Sequence, residues 1–167
     1  MKIKPLPDIS VLNHFFDYCK TTGILKWKTP SSKKTKVGNI AGSSDGSGYI
    51  VVNLHGKHYP VHRIAWKIVY GRDPSNLIDH INENRSDNRI SNLREAEHWQ
   101  NLCNRGKNSN NTSGIKNICF DKSKGLWMGS LARNRKTIFC KYSKNISVVE
   151  AALVEARKKH HLEFSKT

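Results

Sequence analysis

Four polar residues in the middle of the chain have types and a spacing that could do chemistry. Asp79 and His80 are adjacent, Asn92 follows after eleven residues, and Asn101 follows after a further eight. A carboxylate and an amide oxygen from two different elements suit a hard divalent cation that keeps several waters and binds phosphate. A neutral imidazole beside such a site can take a proton from water. The set therefore indicates metal-assisted hydrolysis.

The elements around these residues predict how they are positioned. Ile78 and Asp79 end a predicted strand, and the polar segment 82–91 leads to a short returning strand in "NLREA". "AEHWQNLCNRG" predicts a short helix that Gly106 ends. This order of strand, loop, strand and helix can bring Asp79 and Asn101 together, with His80 on the opposite face of its strand.

Each of these residues also has an ordinary structural interpretation. An Asp-His pair at a strand end often makes only local hydrogen bonds. Asn92 could form a turn, and Asn101 could be a surface residue of a helix. The complete set at this spacing, in a strongly basic protein, favours the catalytic interpretation.

The rest of the N-terminal half predicts a small mixed domain. "DISVLNHFFDYC" has helical spacing of apolar residues, and "GILKWK" predicts a strand. "SSKKTKVGNIAGSSDGSG" predicts a loop, and "YIVVNL" and "HYPV" predict a hairpin around Gly56. "HRIAWKIVYG" predicts a helix that ends at Gly71.

The C-terminal part predicts a second small domain. "GKNSNNTSG" has no apolar side chain and is the best linker candidate. The runs "GIKNICF", "LWMGSLA" and "KTIFCKY" predict three strands, and "ISVVEAALVEARKKHHLEF" predicts a helix. Alternation along the second strand directs Trp127 and Leu131 toward that helix.

The charge predicts a polyanionic partner. The chain of 167 residues has 29 Lys and Arg against 13 Asp and Glu, a net charge of +16. Residues 102–167 hold 14 basic and 4 acidic side chains. Nucleic acid is the leading partner, since no strongly amphipathic basic helix favours a membrane surface. No secretory signal or long apolar run is present, so we expect a cytoplasmic protein with four free, partly buried cysteines.

The pattern "VHRIAW…IDHINENRSDNRISNLREA…QN" resembles the HNH nuclease family in its ββα-metal form. The resemblance covers about residues 49–105 and is closest to HNH homing endonucleases and free-standing phage enzymes. It implies that Asp79 and Asn101 hold one Mg²⁺ or Mn²⁺ ion and that His80 is the general base. Asn92 completes the catalytic set by tying the loop together. Asn101 stands where other family members use His, which favours Mg²⁺ or Mn²⁺ over softer metals.

Residues 113–164 resemble the DNA-binding domain of plant ethylene-response factors, which follows the HNH unit in many phage enzymes. That resemblance implies a sheet that enters the major groove of DNA and a helix that supports its other face. The two resemblances together imply these candidates for DNA contact: His62, Arg63, Arg85, Arg89, Lys116, Ser130, Arg133, Arg135, Lys136, Thr137 and Lys141. For His62 and Arg63, which match the "HR" of the HNH pattern, a helix start and support of the loop are alternatives to contact with a phosphate.

The sequence thus predicts an α+β protein with a ββα-metal nuclease domain at 1–105, a linker at 106–112, and a three-stranded antiparallel sheet packed on one helix at 113–167. We expect a phage-encoded, monomeric HNH endonuclease that nicks double-stranded DNA in a bacterial host, leaving 5′-phosphate and 3′-hydroxyl ends. The alternative is a non-catalytic DNA-binding regulator on the same scaffold.

Overall fold

The computed structural model of the chain describes residues 5–32, 35–104 and 106–161. The chain divides into two compact units, residues 1–96 and 97–167. Within the described residues it is an α+β protein with four α-helices and four small antiparallel sheets. None of the described helices has both the length and the apolar character that crossing a membrane requires.

The first unit begins with a helix that is shorter than the sequence predicts. Helix α1 is Ile9–Phe15, and Asp8 caps it by accepting a hydrogen bond from the Ser10 backbone at 2.9 Å. The chain then becomes strand β1, Phe16–Tyr18, which pairs with β2, Leu25–Trp27. Tertiary packing overrides the helical pattern here, because the buried rings of Phe16 and Trp27 lie 4.8 Å apart.

The predicted hairpin and the helix after it are both confirmed. Strands β4, Ile50–Leu54, and β5, Lys57–Pro60, form the hairpin. Strand β3, Ser43–Ser44, pairs with β4 and lies within the segment predicted as loop. The turn residues His55 and Gly56 have φ of 53° and 75°, as a two-residue hairpin turn requires. Helix α2, Val61–Tyr70, ends at Gly71, whose φ is 71°.

The core of the first unit lies between these elements. Buried side chains from α1, β2, β4 and α2 form one cluster, which includes Leu12, Leu25, Leu54 and Ile64. A second cluster joins α2 to the last strand pair of the unit, β6 (Leu77–His80) and β7 (Leu93–Ala96), through Trp66, Ile78 and Leu93. The apolar residues of α2 thus fasten β6 to the rest of the unit.

The second unit contains the predicted three strands and C-terminal helix. Helix α3 is His98–Asn104, and β8 (Ile118–Asp121), β9 (Leu126–Arg133) and β10 (Lys136–Ser143) form a sheet with β9 in the centre. Helix α4, Ile146–His161, packs on this sheet. Leu131 and Trp127 lie in the apolar cluster with Val149 and Leu153, as alternation predicts. Gly129 allows the close approach, because a Cβ there would lie 2.6 Å from Val149 Cγ1.

Two further details differ from expectation. The division between the units lies at 96/97, before α3 rather than at the predicted linker 106–112, and Arg105, the predicted end of the first domain, lies outside the described residues. Lys116 Nζ donates to the Cys103 carbonyl and so joins α3 to the residues before β8. The expectation of partly buried cysteines is wrong for three of the four, since Cys103 is buried while Cys19, Cys119 and Cys140 are exposed.

Candidate functional site

Asp79 and His80 are the last two residues of β6, and both are buried. Asp79 is 3% exposed and His80 is 4% exposed. Alternation along the strand gives the two side chains different surroundings. Asp79 contacts the opposite residue of β7, whereas His80 contacts the polar loop and two aromatic rings. A buried carboxylate and a buried imidazole thus occupy neighbouring positions of one strand, each with its own surroundings.

Asp79 forms an ion pair with Arg94. The two residues stand opposite each other in the antiparallel β6–β7 pair, and Arg94 Nε donates to Asp79 Oδ2 at 2.9 Å. Arg94 was not among the site residues predicted from the sequence. The predicted order of strand, loop and strand could have indicated Arg94, because pairing "IDH" with "NLREA" can place Arg94 across from Asp79.

His80 is oriented by Asn88. His80 Nε2 lies 3.3 Å from Asn88 Oδ1, and an amide oxygen only accepts, so this contact uses the tautomer with its hydrogen on Nε2. The lone pair is then on Nδ1, which is the atom that can accept a proton. Burial lowers the pKa of His80 below its ordinary value of 6.5, although Asn88 and the carboxylates of Asp79 and Asp87 act in the opposite direction. His80 is therefore a neutral imidazole at pH 7, the form that a general base requires.

His62 and Tyr49 complete an aromatic cluster around His80. The ring of His80 lies 5.2 Å from that of His62, nearly perpendicular to it, and 5.9 Å from that of Tyr49. His62 is 8% exposed, and its Nδ1 has no hydrogen-bond partner among the described residues. Of the roles considered for His62, this interior position favours support of the site over contact with a DNA phosphate.

The polar loop between β6 and β7 is held together by Asn92. Its Oδ1 accepts from the Asn82 backbone at 3.0 Å, and its Nδ2 donates to Asn82 Oδ1 and to the Asp87 carbonyl, both at 2.9 Å. The Asn92 carbonyl accepts from Ile81 N, directly after His80. These bonds match the loop-tying role that the resemblance implies, and they fix the backbone that follows the imidazole.

Other short polar side chains brace the same loop. Asn82 Nδ2 donates to Asp87 Oδ2 at 2.8 Å, and Arg89 donates two hydrogen bonds to the Asp87 carboxylate. The Arg89 guanidinium lowers the pKa of Asp87 to about 2. Tyr18 Oη donates to the Asn88 carbonyl at 2.7 Å. The asparagine-rich composition of this segment therefore replaces regular secondary structure with side-chain hydrogen bonds to the backbone.

Gly23 allows the β1–β2 turn to pack closely against this loop. A Cβ at Gly23 would lie 2.4 Å from Arg89 N and 2.6 Å from the Asn88 carbonyl carbon, and its φ is +73°. Gly38 has a similar φ of +83° but nothing within 4 Å of a Cβ, so it is a matched control for backbone strain alone.

We expect Gly23→Ala to lower stability more than Gly38→Ala. The control substitution is expected to cost about 1–2 kcal/mol for the left-handed conformation. Gly23→Ala adds a clash with backbone atoms of the loop that carries Asn88, and should therefore also shift the NMR signals of the His80 ring. Thermal unfolding of both variants measures the loss of stability, and NMR spectra of the histidine rings measure the shift of the His80 signals. Equal losses of stability, with unchanged His80 signals, would contradict the packing described.

Burial of His62 predicts that stability decreases with decreasing pH. Burial first, and then the electrostatic interactions with His80 and Arg63, lower the pKa of His62 to about 3. Between that value and the ordinary 6.5, the unfolded chain binds a proton that the folded protein does not. The contribution of His62 to the free energy of unfolding should therefore be fully present above pH 6.5. Below that pH it should fall by about 1.4 kcal/mol per pH unit. His80 contributes with the same sign.

Urea denaturation between pH 7.5 and pH 4.5 measures this slope. His62→Phe keeps a buried ring but has no proton to bind, so the slope of its unfolding free energy against pH should be smaller than that of the unmodified protein. The same slope in the protein and in His62→Phe would show that His62 is not the source.

The remaining candidates of the first unit have partners within the protein. Arg63 is half-buried, and its Nη2 lies 4.0 Å from Asp73 Oδ1. Arg85 donates to the Ser47 carbonyl at 2.7 Å and stacks over the ring of Tyr49. Arg89 pairs with Asp87. Arg85 and Arg89 are exposed, and contact of all three with DNA stays a prediction.

The candidates of the second unit do not share one face of the sheet. Register places Lys141 opposite Gly129 and Lys136 opposite Arg133, on the side to which α4 packs, while Ser130 and Thr137 lie on the other face. Arg133 stacks on the Trp99 ring of α3 at 4.0 Å, and Arg135 lies in the turn between β9 and β10. Contact of these residues and of Lys116 with DNA stays a prediction.

The donors predicted for a metal lie in different units. Asp79 is on β6, and Asn101 is half-buried on α3. No group of three or more His, Cys, Asp or Glu side chains that could hold a metal ion occurs among the described residues. The predicted donors are one carboxylate and one amide, and such oxygen atoms suit Mg²⁺ or Mn²⁺ with waters in the other positions. The chemistry of these two donors therefore fits the ion that the resemblance implies.

Comparison with known proteins supports the nuclease interpretation of one segment. Residues 59–103 match a family model described as HNH endonuclease. The matched segment runs from β5 into α3 and contains Asp79, His80, Asn92 and Asn101. It supports an HNH family for this part of the chain, and an HNH domain indicates nuclease activity on DNA. The match ends before β8, so it gives no support to the ethylene-response-factor resemblance of the sheet.

One similar protein comes from a bacteriophage. The chain is 28% identical to "Protein 3.8" of Escherichia phage T7 over 106 residues, which cover 63% of this chain and 87% of that protein. No solved structure matches the chain.

Proposed function

We propose that the protein is a metal-dependent DNA endonuclease in which His80 is the general base. The observation that carries the proposal is the buried, neutral imidazole of His80, oriented by Asn88 and adjacent to the carboxylate of Asp79. The HNH match over residues 59–103 supports a nuclease with DNA as substrate. The match to a phage protein supports a phage-encoded enzyme that acts in a bacterial host. We expect it to act as a monomer, because each chain carries one proposed active site.

The residues would divide the reaction between them. Asp79 and Asn101 would hold one Mg²⁺ or Mn²⁺ ion, which when bound supplies Lewis-acid stabilisation of the phosphate oxygens. His80 Nδ1 takes a proton from the attacking water, whose oxygen bonds to phosphorus while the bond to the 3′ oxygen breaks. The 3′ oxygen takes up a proton, so the products carry a 3′ hydroxyl and a 5′ phosphate. Asn92 and Asn88 keep the imidazole in place.

Binding to duplex DNA would come mainly from positive charge. Residues 102–167 carry 14 Lys and Arg against 4 Asp and Glu, so the C-terminal part should provide most of the affinity. Neutralisation of phosphates releases counterions, and the logarithm of the binding constant should fall by about 0.9 per phosphate contact for each tenfold increase in salt.

A non-catalytic DNA-binding regulator is the second candidate. The observation that favours it is the ion pair of Asp79 with Arg94, since a carboxylate that already has a cationic partner is a weaker metal ligand. Supercoiled plasmid distinguishes the two candidates. Incubation with Mg²⁺ or Mn²⁺ should produce nicked circles that DNA ligase reseals, and EDTA should prevent nicking. A protein that shifts the plasmid in a gel but never nicks it with either metal would be the regulator.

A further inference from the structure

Among the ion pairs that the structure describes in the first unit, the pair of Asp79 with Arg94 has the most buried carboxylate. The side chains of Asp79 and Arg94 are 4% and 17% exposed. The carboxylates of the other pairs are more exposed: Glu95 of β7, the partner of Arg72, is 23% exposed, Asp87 is 12% exposed, and Asp73 is 39% exposed. A carboxylate removed from water is stable as an anion only when a charge or several hydrogen bonds compensate it. Arg94 provides that compensation.

The position of the pair is fixed by regular structure. Asp79 and Arg94 are direct partners in the β6–β7 pair, so neighbouring backbone hydrogen bonds hold both Cα atoms. The guanidinium donates from Nε to Asp79 Oδ2 at 2.9 Å, which is the distance of a charge-assisted hydrogen bond. The contact therefore belongs to the folded strand pair and does not depend on the polar loop.

We propose that Arg94 is a built-in counter-ion that neutralises Asp79 in the metal-free protein and opposes the binding of a divalent cation there. The proposal rests on the proposed function, because it takes Asp79 to be a metal ligand. A guanidinium and a divalent cation that share one carboxylate repel each other, and even in high dielectric this repulsion weakens cation binding by about tenfold. Arg94 thus stabilises the strand pair when no metal is bound, at the expense of metal affinity.

Calorimetric titration of the full chain with Mn²⁺, without DNA, tests the effect on affinity. Arg94→Gln removes the charge and should bind Mn²⁺ about tenfold more tightly. Arg94→Lys keeps the charge and should bind like the unmodified protein. Arg72→Gln is the matched control, because it removes an ion pair one position along the same strand that does not involve Asp79. Its Mn²⁺ affinity should be unchanged.

Thermal unfolding in EDTA tests the other half of the proposal. Arg94→Gln removes this positive charge from beside a buried carboxylate and should lower the melting temperature more than Arg72→Gln does. If Arg94→Gln does not fold, the double variant Asp79→Asn/Arg94→Gln tests whether the negative charge of Asp79 is the cause. The proposal expects it to fold, with a melting temperature close to that of Asp79→Asn alone.

Two failures are distinguishable. Mn²⁺ affinity of folded Arg94→Gln that is equal to or weaker than that of the unmodified protein would overturn the counter-ion role and leave the nuclease proposal intact. A double variant that remains unfolded while Asp79→Asn folds would also overturn it. Mn²⁺ binding that Asp79→Asn does not change would instead show that Asp79 is not a ligand, and the metal assignment of the proposed function would fail with it.

Discussion

Asp79→Ala and Asn101→Ala should each remove metal-dependent DNA cleavage while leaving duplex binding nearly intact. Each substitution deletes one of the two oxygen donors assigned to the ion. Substitution of a residue that only supports a metal ligand lowers activity by about 10- to 100-fold, and the loss of activity in these two variants should be larger. Cleavage rates over a range of Mg²⁺ and Mn²⁺ concentrations, together with gel-shift affinities, measure both effects.

The controls separate loss of the metal from loss of the fold. Asp79→Asn keeps the shape of the side chain and leaves Arg94 a hydrogen-bond acceptor, so it should fold even if Asp79→Ala is unstable. Asn101→His should keep some activity and shift the preference toward softer metals, because imidazole suits them better than an amide does. Full activity of either alanine variant, or of the unmodified protein in EDTA, would contradict the metal assignment.

Asn92→Ala should destabilise the first unit by about 2–5 kcal/mol, because it leaves several polar groups of the loop without partners. The Asn82 N–H and the Asp87 carbonyl both lose their bonds to this side chain. Cleavage should fall as well, since the backbone that follows His80 is no longer held. Urea denaturation and nicking rates measure the two effects.

Asn84→Ala is the matched control within the same loop. Asn84 is exposed, and among the residues that the structure describes its side chain accepts hydrogen bonds from Ser86 alone, so its removal should cost less than about 1 kcal/mol. A loss of stability in Asn92→Ala no larger than in Asn84→Ala would show that the loop is not braced as described.

The sequence was most informative where hydrophobic periodicity and turn residues agree. The hairpin around Gly56, the helix that ends at Gly71, and the three strands and helix of the second unit were all predicted, because local propensity and burial there favour the same structure. The prediction was wrong for Phe16–Tyr18. Those residues continue a helical pattern, and only the distant pairing of Phe16 with Trp27 makes them a strand.

The contacts around Asp79 and His80 could be predicted only in part. Adjacent residues on a strand point to opposite faces, so the separate surroundings of Asp79 and His80 followed from the strand prediction. Arg94 required the exact register of the strand pair, which hydrophobic spacing alone does not determine across a long polar loop. Asn88 and Tyr49 reach His80 through irregular segments, where no periodicity predicts which side chains meet.

His80 is proposed to remove the proton from the attacking water, and single-turnover nicking by His80→Ala provides the sharpest test of that role. Supercoiled plasmid fully bound by equal amounts of each protein in Mg²⁺ gives the rate of the chemical step. Removal of a general base typically costs about 10²- to 10⁴-fold, so His80→Ala should be slower by at least that lower factor with unchanged DNA affinity. His58→Ala, at an exposed histidine on β5, should nick at the unmodified rate. Nicking by His80→Ala at close to the unmodified rate would show that His80 is not the general base.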